Sequence, residues 1–147
     1  MKAKNQITIK AMCLFQNNGK ILVAKGFDDV KNKHFYRVVG GTVEFSETAE
    51  QGIRREVQEE LNSDLENLEL VDVIENIFTF QGKQGHEIVF LYIGELTRKE
   101  LYDQKIVRIV EPTYEIEAEW IALDDILSGE VPLYPGFDYE KILEKDK

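Results

Sequence analysis

The chain predicts an α/β sandwich in one domain. Three observations carry this. A Glu-rich amphipathic helix is expected over residues 49–61, with strand-like segments on both sides of it. The run Ile88-Val89-Phe90-Leu91-Tyr92-Ile93 is apolar on both faces, which suits a strand covered on both sides. A short helix near the C-terminus completes a layered arrangement.

In order, Ile7 to Phe15 reads as a strand. Asn17-Asn18-Gly19 is a hairpin signal, and Ile21 to Ala24 is the partner strand. Lys25 to Lys33 is polar and reads as a loop. Phe35 to Val39 is extended and leads into Gly40-Gly41. Thr48 is a good N-cap, and Gln51 can complete a capping box. Ala49, Ile53, Val57 and Leu61 form the apolar stripe of the helix. Asn62 is a candidate left-handed C-cap. Leu68 to Phe80 reads as a long strand, interrupted near Glu75-Asn76. Gly82 to Gly85 is a turn, and Glu87 to Leu96 is the doubly covered strand. Arg98 to Gln104 is polar and carries no clear signal. Ile106 to Val110 is a further short strand, and Glu115 to Leu123 alternates as a strand does. Leu123 to Leu127 is a short helix, and Asp138 can cap a last helix running to about Glu144.

Composition fits this class. The chain has 147 residues, 43% of them hydrophobic and 31% charged, which is ordinary for one globular core. The formal charge of −10 argues against a binder of nucleic-acid backbone, which needs a basic face. It leaves phosphate substrates open, because a bound metal inverts the local field. Cys13 is the only cysteine, so no intrachain disulfide forms and an oxidising compartment is not indicated. No apolar run is long enough for a signal peptide or membrane span. A cytoplasmic protein is expected, and a homodimer is left open.

The glutamates of the helix carry the chemistry. With Ile53 at zero and about 100° per residue, Glu60 falls at roughly −20°, inside the apolar stripe. Glu56 and Glu59 follow at roughly −60° and −120°. A carboxylate aimed at a core is costly without a cation or hydrogen bonds. A divalent cation would meet that cost and relieve the repulsion among the three. Oxygen ligands favour Mg²⁺ or Mn²⁺ over Zn²⁺. The plainer reading is a solvated acidic face with Arg54 and Arg55 as neighbours.

The spacing decides between them. Gly41, Glu47, Arg55, Glu56, Val57, Glu59 and Glu60 stand at the spacing G-x5-E-x7-R-E-U-x-E-E. This resembles the Nudix box of the Nudix (MutT-like) hydrolases. Seven of its nine specified positions match. The misses are Asn62 for Gly and Ser63 for an aliphatic residue. Outside the box, Val39 and Ser46 stand where many members have Pro and Gly.

The resemblance implies the Nudix fold, an α/β/α sandwich with a mixed curved sheet. It implies hydrolysis of a pyrophosphate bond in a nucleoside diphosphate derivative, with Mg²⁺ or Mn²⁺ as cofactor and a small nucleotide as partner. Glu56, Glu59, Glu60 and the carbonyl of Gly40 would hold metal. Glu56 is also a candidate to orient or deprotonate the water. Arg55 would position the carboxylates, and Glu47 would tie the Gly40-Gly41 turn to the helix. A glutamate before the Trp120 strand, Glu115 first and Glu117 second, would add a ligand; the alternative is a solvated strand face. Arg37 either reaches a substrate phosphate or makes a salt bridge. Tyr134 and Phe137 either stack on a base or pack against the sheet. His34 reads as a surface residue, and His86 as a turn residue or a substrate contact. The competing function is a sensor domain that binds a nucleotide without turning it over.

Overall fold

A computed structural model describes residues 5–110 and 115–143 of the chain. The strands are β1 (Ile7–Leu14), β2 (Gln16–Asn17), β3 (Lys20–Asp28), β4 (Lys33–Thr42), β5 (Leu65–Phe80), β6 (Lys83–Leu96), β7 (Ile106–Val110), β8 (Glu115–Ala122) and β9 (Leu133–Tyr134). The helices are α1 (Ala49–Leu61), α2 (Leu123–Leu127) and α3 (Tyr139–Leu143), with a 3₁₀ turn at Lys99–Asp103. The sheet order is β5-β6-β1-β4-β3-β8-β7, with β2 beside β3 and β9 beside β4. β1 with β6 and β4 with β9 are parallel pairs, and the other pairs are antiparallel. The sheet is therefore mixed.

Apolar side chains fill both faces. Ala11, Cys13, Val39 and Tyr92 meet the α1 stripe of Ile53, Val57 and Leu61 on one side. Met12, Val23, Val38 and Leu91 meet Ile126 of α2 and Ile142 and Leu143 of α3 on the other. The doubly covered reading of Ile88–Ile93 follows from this, since Val89 and Leu91 face one cluster and Phe90 and Tyr92 the other.

α1 forms as its sequence dictates. The Thr48 side chain accepts from the Gln51 N–H, and Gln51 returns a bond to the Thr48 N–H. Asn62 ends the helix at φ 51 and ψ 48, the left-handed conformation. Ser63 is buried without filling an aliphatic role. Its hydroxyl donates to the Asp64 carbonyl and accepts from the Arg98 N–H at 3.1 Å, which ties the helix end to the segment after β6.

β4 shapes the molecule. Its residues Val39 to Thr42 pair with β1, whereas Lys33 to Val38 pair with β3. The strand leaves one ladder for the other in mid-course, so the two halves of the sheet diverge and a cleft opens between them. At the crossing, a Cβ on Gly40 would lie 2.1 Å from the Ala11 carbonyl oxygen, so only glycine fits there.

Several boundaries differ from the sequence reading. Lys25 to Asp28 belong to β3, held by pairing with Lys33 to Tyr36, so the loop is only residues 29–32. The β5 irregularities lie between Glu66 and Glu69 and between Leu70 and Asp72, not near Glu75-Asn76. The β5–β6 turn is Gln81-Gly82. Gly85 lies within β6 because the Phe78 ring covers it; a Cβ there would sit 2.3 Å from Phe78 Cζ. Residues 98–104 contain the 3₁₀ turn. The Tyr102 ring stacks on Trp120 there, and the Trp120 indole donates to the Leu101 carbonyl. Asp138 accepts from the Lys141 N–H, as a cap should, while Glu144 lies outside the described residues.

Candidate active site

The cleft opened by β4 has a volume of about 740 Å³. One wall carries Lys10 and Met12 of β1, Asn76, Phe78 and Phe80 of β5 and Glu87 of β6. The other carries Lys25 to Asp28 of β3 and Lys33 to Phe35 and Arg37 of β4. At its inner end lie Gly40, Gly41, Thr42 and Glu56. Lys31, Thr79, Tyr134, Pro135 and Ile116 complete the lining.

The two hairpin tips meet across the mouth. The Asp29 N–H donates to Gln81 Oε1 at 2.8 Å, and the Gln81 N–H donates to Asp28 at 3.2 Å. Lys31 Nζ donates to the Thr79 carbonyl at 2.8 Å. Phe35 sits edge-to-face with Phe80 and with Tyr134, ring centroids 5.6 and 5.8 Å apart. The aromatic end of the cleft is thus built from three separate elements.

The inner end is built around Arg55. Its Nε and Nη2 bind both oxygens of Glu47, at 2.7 and 3.0 Å. Nη1 reaches Glu56 at 3.0 Å and Glu59 at 3.4 Å. Nη2 also donates to the Thr42 carbonyl at 3.0 Å, which fastens the end of β4 to the helix; Gly40 and Gly41 are paired strand residues there rather than the turn expected from the sequence. Glu47 Oε1 accepts from the Glu44 N–H. The Arg55 guanidinium, helped by that N–H, holds Glu47 down at about 2. In return, hydrogen bonding to Glu47 raises Arg55 further above its already high value. Such fork-to-fork geometry fixes both partners.

Gly41 admits the Glu56 carboxylate. A Cβ on Gly41 would lie 2.3 Å from the carboxyl carbon and 2.5 Å from each oxygen. Glu56 therefore presses against bare backbone beside the cleft. Gly40 turns its carbonyl to Arg37, whose Nη1 donates to it at 3.3 Å. Tyr134 pairs with Arg37 in the β4–β9 ladder.

The other predicted residues are distributed differently. Glu60 is buried at 3% exposure, as its azimuth predicts, but lines a smaller cavity of about 390 Å³. Glu59 lines the same cavity, with Arg98 and Arg108, and is more than half exposed. α1 thus divides its glutamates between two openings. Among the described residues, no three His, Cys, Asp or Glu side chains converge closely enough to hold a metal ion as they stand. The donor chemistry nonetheless suits a hard divalent ion, because every donor is oxygen and Gly41 leaves room at Glu56. Glu115 begins β8, and its side chain lies outside the described residues. Glu117 is exposed opposite Arg108 in the β7–β8 ladder.

Phe137 does not join the cleft; it packs against the α3 side of the core and edge-to-face on Tyr139. His34 is exposed at the cleft rim, its ring against Phe27. His86 lies within β6, opposite Ile7 and Ile77, and outside the cleft lining. Glu119 is ion-paired to Lys25 at 2.8 Å with 18% of its side chain exposed, not freely solvated. Cys13 is buried and its thiol is pushed up by desolvation, so it offers no nucleophile.

Sequence reasoning missed the aromatic and cationic lining. Asn76, Phe78 and Phe80 alternate along β5, and that period of two was the signal available. Five Lys and Arg side chains line the cleft (Lys10, Lys25, Lys31, Lys33 and Arg37) against three acids, Asp28, Glu56 and Glu87. The local charge opposes the net −10, even with Lys10 near Glu87 at 4.0 Å and Lys25 bound to Glu119.

A sequence model of the NUDIX domain matches residues 4–140. The chain belongs to the NUDIX family. NUDIX hydrolases generally use divalent metal ions to hydrolyse pyrophosphate bonds in small nucleotide substrates. The fold agrees with that of a MutT NUDIX hydrolase from Burkholderia pseudomallei, at 26% identity and TM-score 0.59, over 89% of this chain and 92% of that one. A NUDIX hydrolase from Nitrosomonas europaea aligns over 96% of this chain and 89% of its own, at 15% identity and TM-score 0.65. A MutT protein from Methanosarcina mazei Go1 aligns over 89% and 88%, at 23% identity and TM-score 0.54. No curated protein matches the sequence. Among the described residues, no helix is long and apolar enough to cross a membrane.

Proposed function

We propose that this NUDIX protein is a pyrophosphohydrolase acting on a nucleoside diphosphate derivative with Mg²⁺ or Mn²⁺. The observation that carries this is one cleft with Glu56 and the Gly40-Gly41 end of β4 at its inner end and Phe35, Phe80 and Tyr134 further out. From Gly40 to Phe35 is five residues of β4, about 17 Å at strand rise, which accommodates an extended nucleotide.

Glu56 and the Gly40 carbonyl would hold the metal at the inner end of the cleft, and Glu59, Glu60 and Glu115 would join them as further ligands by turning toward it, since Glu59 and Glu60 line the smaller cavity. A bound metal of this kind neutralises diphosphate charge and lowers the pKa of an attacking water. Glu56, beside the cleft, would orient or deprotonate that water. Arg55 keeps Glu56 and Glu59 in place through its hydrogen bonds, and Glu47 keeps Arg55 in place. Arg37 and the cleft lysines meet the phosphates. Tyr134 and Phe35 hold the base end, since aromatic faces stack on any base.

The test is a panel of nucleoside triphosphates, nucleotide sugars and dinucleotides with Mg²⁺ or Mn²⁺, reading released phosphate or pyrophosphate. Turnover of one class supports the reading. Tight binding of a nucleotide without any turnover would replace it with a sensor domain.

A further inference from the structure

We infer, resting on the nucleotide reading above, that the cleft selects a ribonucleotide over its 2′-deoxy counterpart, with Glu87 and Asn76 binding the ribose hydroxyls. The register of β1, β6 and β5 lays this wall of the cleft out in rows. Thr8, Glu87 and Asn76 share one row. Lys10 and Val89 share the next row inward, where Lys10 also pairs with Thr42 at the inner end. One row outward, Phe78 pairs with Gly85 and lays its ring across that glycine. Phe80 follows, edge-to-face with Phe35. Successive rows on one face of a sheet stand about 7 Å apart. A cation, then a carboxylate with an amide, then aromatic rings follow one another from the inner end outward. A nucleoside diphosphate presents phosphate, sugar and base in that order.

Glu87 and Asn76 stand directly opposite each other in the antiparallel β5–β6 ladder, and both line the cleft. Cβ atoms so placed are about 4.5–5.5 Å apart, close enough to share one ligand group. Among the described residues, the Glu87 carboxylate has one partner, Lys10 Nζ at 4.0 Å, the outer limit of an ion pair. The Glu87 side chain is only 16% exposed. The Asn76 amide makes no hydrogen bond among the same residues. A carboxylate and an amide enclosed in this way keep bonding capacity that a ligand in the cleft can use.

The chemistry of the pair selects the sugar. A carboxylate accepts hydrogen bonds through two oxygens and repels a phosphate. The 2′ and 3′ hydroxyls of ribose are two adjacent donors, and carboxylates serve as acceptors for ribose hydroxyls in dinucleotide sites. Asn76 can donate to a hydroxyl oxygen as well as accept from its proton. A base placed at this row would forgo stacking on the rings further out. The plainer role for Glu87 is to hold Lys10. The two roles differ measurably. Loss of a holder for Lys10 changes ribose and 2′-deoxyribose ligands by the same factor, because both carry the same phosphates. Loss of a hydroxyl acceptor changes their ratio.

The test is calorimetric binding, with Mg²⁺, of the α,β-methylene diphosphates of the common nucleosides in ribose and 2′-deoxyribose forms. The methylene link resists hydrolysis, so binding is read whether or not the protein turns nucleotides over. Wild type should bind at least one ribose form at least about tenfold more tightly than its 2′-deoxy form, as a site built to hydrogen-bond a hydroxyl does. Glu87→Gln, isosteric and neutral, should bring that ratio below about threefold, because the charge-assisted bonds are the strong ones. Its melting should stay within a few degrees of wild type, since a loose, partly exposed ion pair adds little stability. Glu75→Gln removes the same charge from the other face of β5 and should keep the wild-type ratio. Equal binding of the two forms by wild type, or binding of neither, overturns the proposal. So does a Glu87→Gln variant that keeps the wild-type ratio. Ribose-selective binding without turnover of any nucleotide would keep this site and remove the proposed hydrolysis. Turnover of ribose and 2′-deoxy substrates alike would keep the hydrolysis and remove this site.

Discussion

Replacing Gly41 by Ala should separate folding from catalysis. The added methyl would lie 2.3 Å from the Glu56 carboxyl carbon. That atom ends a flexible side chain, so the carboxylate swings aside and the backbone stays. Gly41 is not among the positive-φ residues, so Ala adopts its backbone conformation. Displacing a rotamer costs about 0.5–1.5 kcal/mol. For a domain of this length, each kcal/mol lowers Tm by about 2–4 °C. The melting temperature should therefore fall by no more than about 6 °C. Turnover should fall by at least about 10²-fold, or ~2.7 kcal/mol of transition-state stabilisation, because Glu56 leaves its place by the cleft. Gly40→Ala is the comparison. There the methyl meets the Ala11 carbonyl oxygen at 2.1 Å and Met12 Cα at 2.6 Å, both backbone atoms of a paired strand. That variant should lose several kcal/mol and fold poorly, as strained overpacked sites do (about 1–3 kcal/mol or more). Calorimetric melting and steady-state phosphate release measure the two effects. A folded Gly41→Ala protein with wild-type kcat/KM would show that the Glu56 position does not matter to catalysis. An unfolded one would refute the packing argument.

Three further outcomes are expected. Folded Glu47 titrates near 2 against an ordinary 4.5, so its stabilisation is complete above 4.5 and disappears as pH falls toward 2. Glu47→Gln should then lose less stability than wild type across that window, and parallel acid-unfolding curves would contradict this. Glu60→Gln should keep the fold, since a neutral amide is cheaper to bury than a carboxylate, while turnover falls by at least about 10²-fold. Equal activity in the two would remove Glu60 from the site. Arg37→Ala should raise KM more than it lowers kcat, because it withdraws a phosphate contact made throughout the reaction; a pure kcat effect would place Arg37 elsewhere in the mechanism.

Much of the fold was legible because it is local. The Thr48 and Gln51 caps, the Ile53-Val57-Leu61 stripe and the left-handed Asn62 all lie within one stretch, and α1 forms over Ala49–Leu61 accordingly. The burial of Glu60 followed from helix geometry alone. What was not legible depends on distant pairing. Lys25 to Asp28 look like a loop until β4 supplies a ladder for them. Gly85 reads as a turn until the Phe78 ring is laid over it. The Arg55–Glu47 pair follows the box spacing. The cleft, by contrast, exists only because β4 changes partners between Val38 and Val39, and no residue there announces it. Lys10, Lys31 and Phe80 reach one opening from three hairpin arms, and Phe137 misses it by joining α3 instead.

Glu56, at the inner end of the cleft, is proposed to serve metal-dependent hydrolysis of a nucleoside diphosphate derivative. The most direct measurement is phosphate or pyrophosphate release by wild type and Glu56→Gln, side by side, with and without Mg²⁺ or Mn²⁺. Wild type should turn over at least one nucleotide class only when the metal is present. Glu56→Gln should be slower by at least about 10²-fold while melting within a few degrees of wild type. Metal-independent turnover, or a folded Glu56→Gln protein as fast as wild type, would contradict the account.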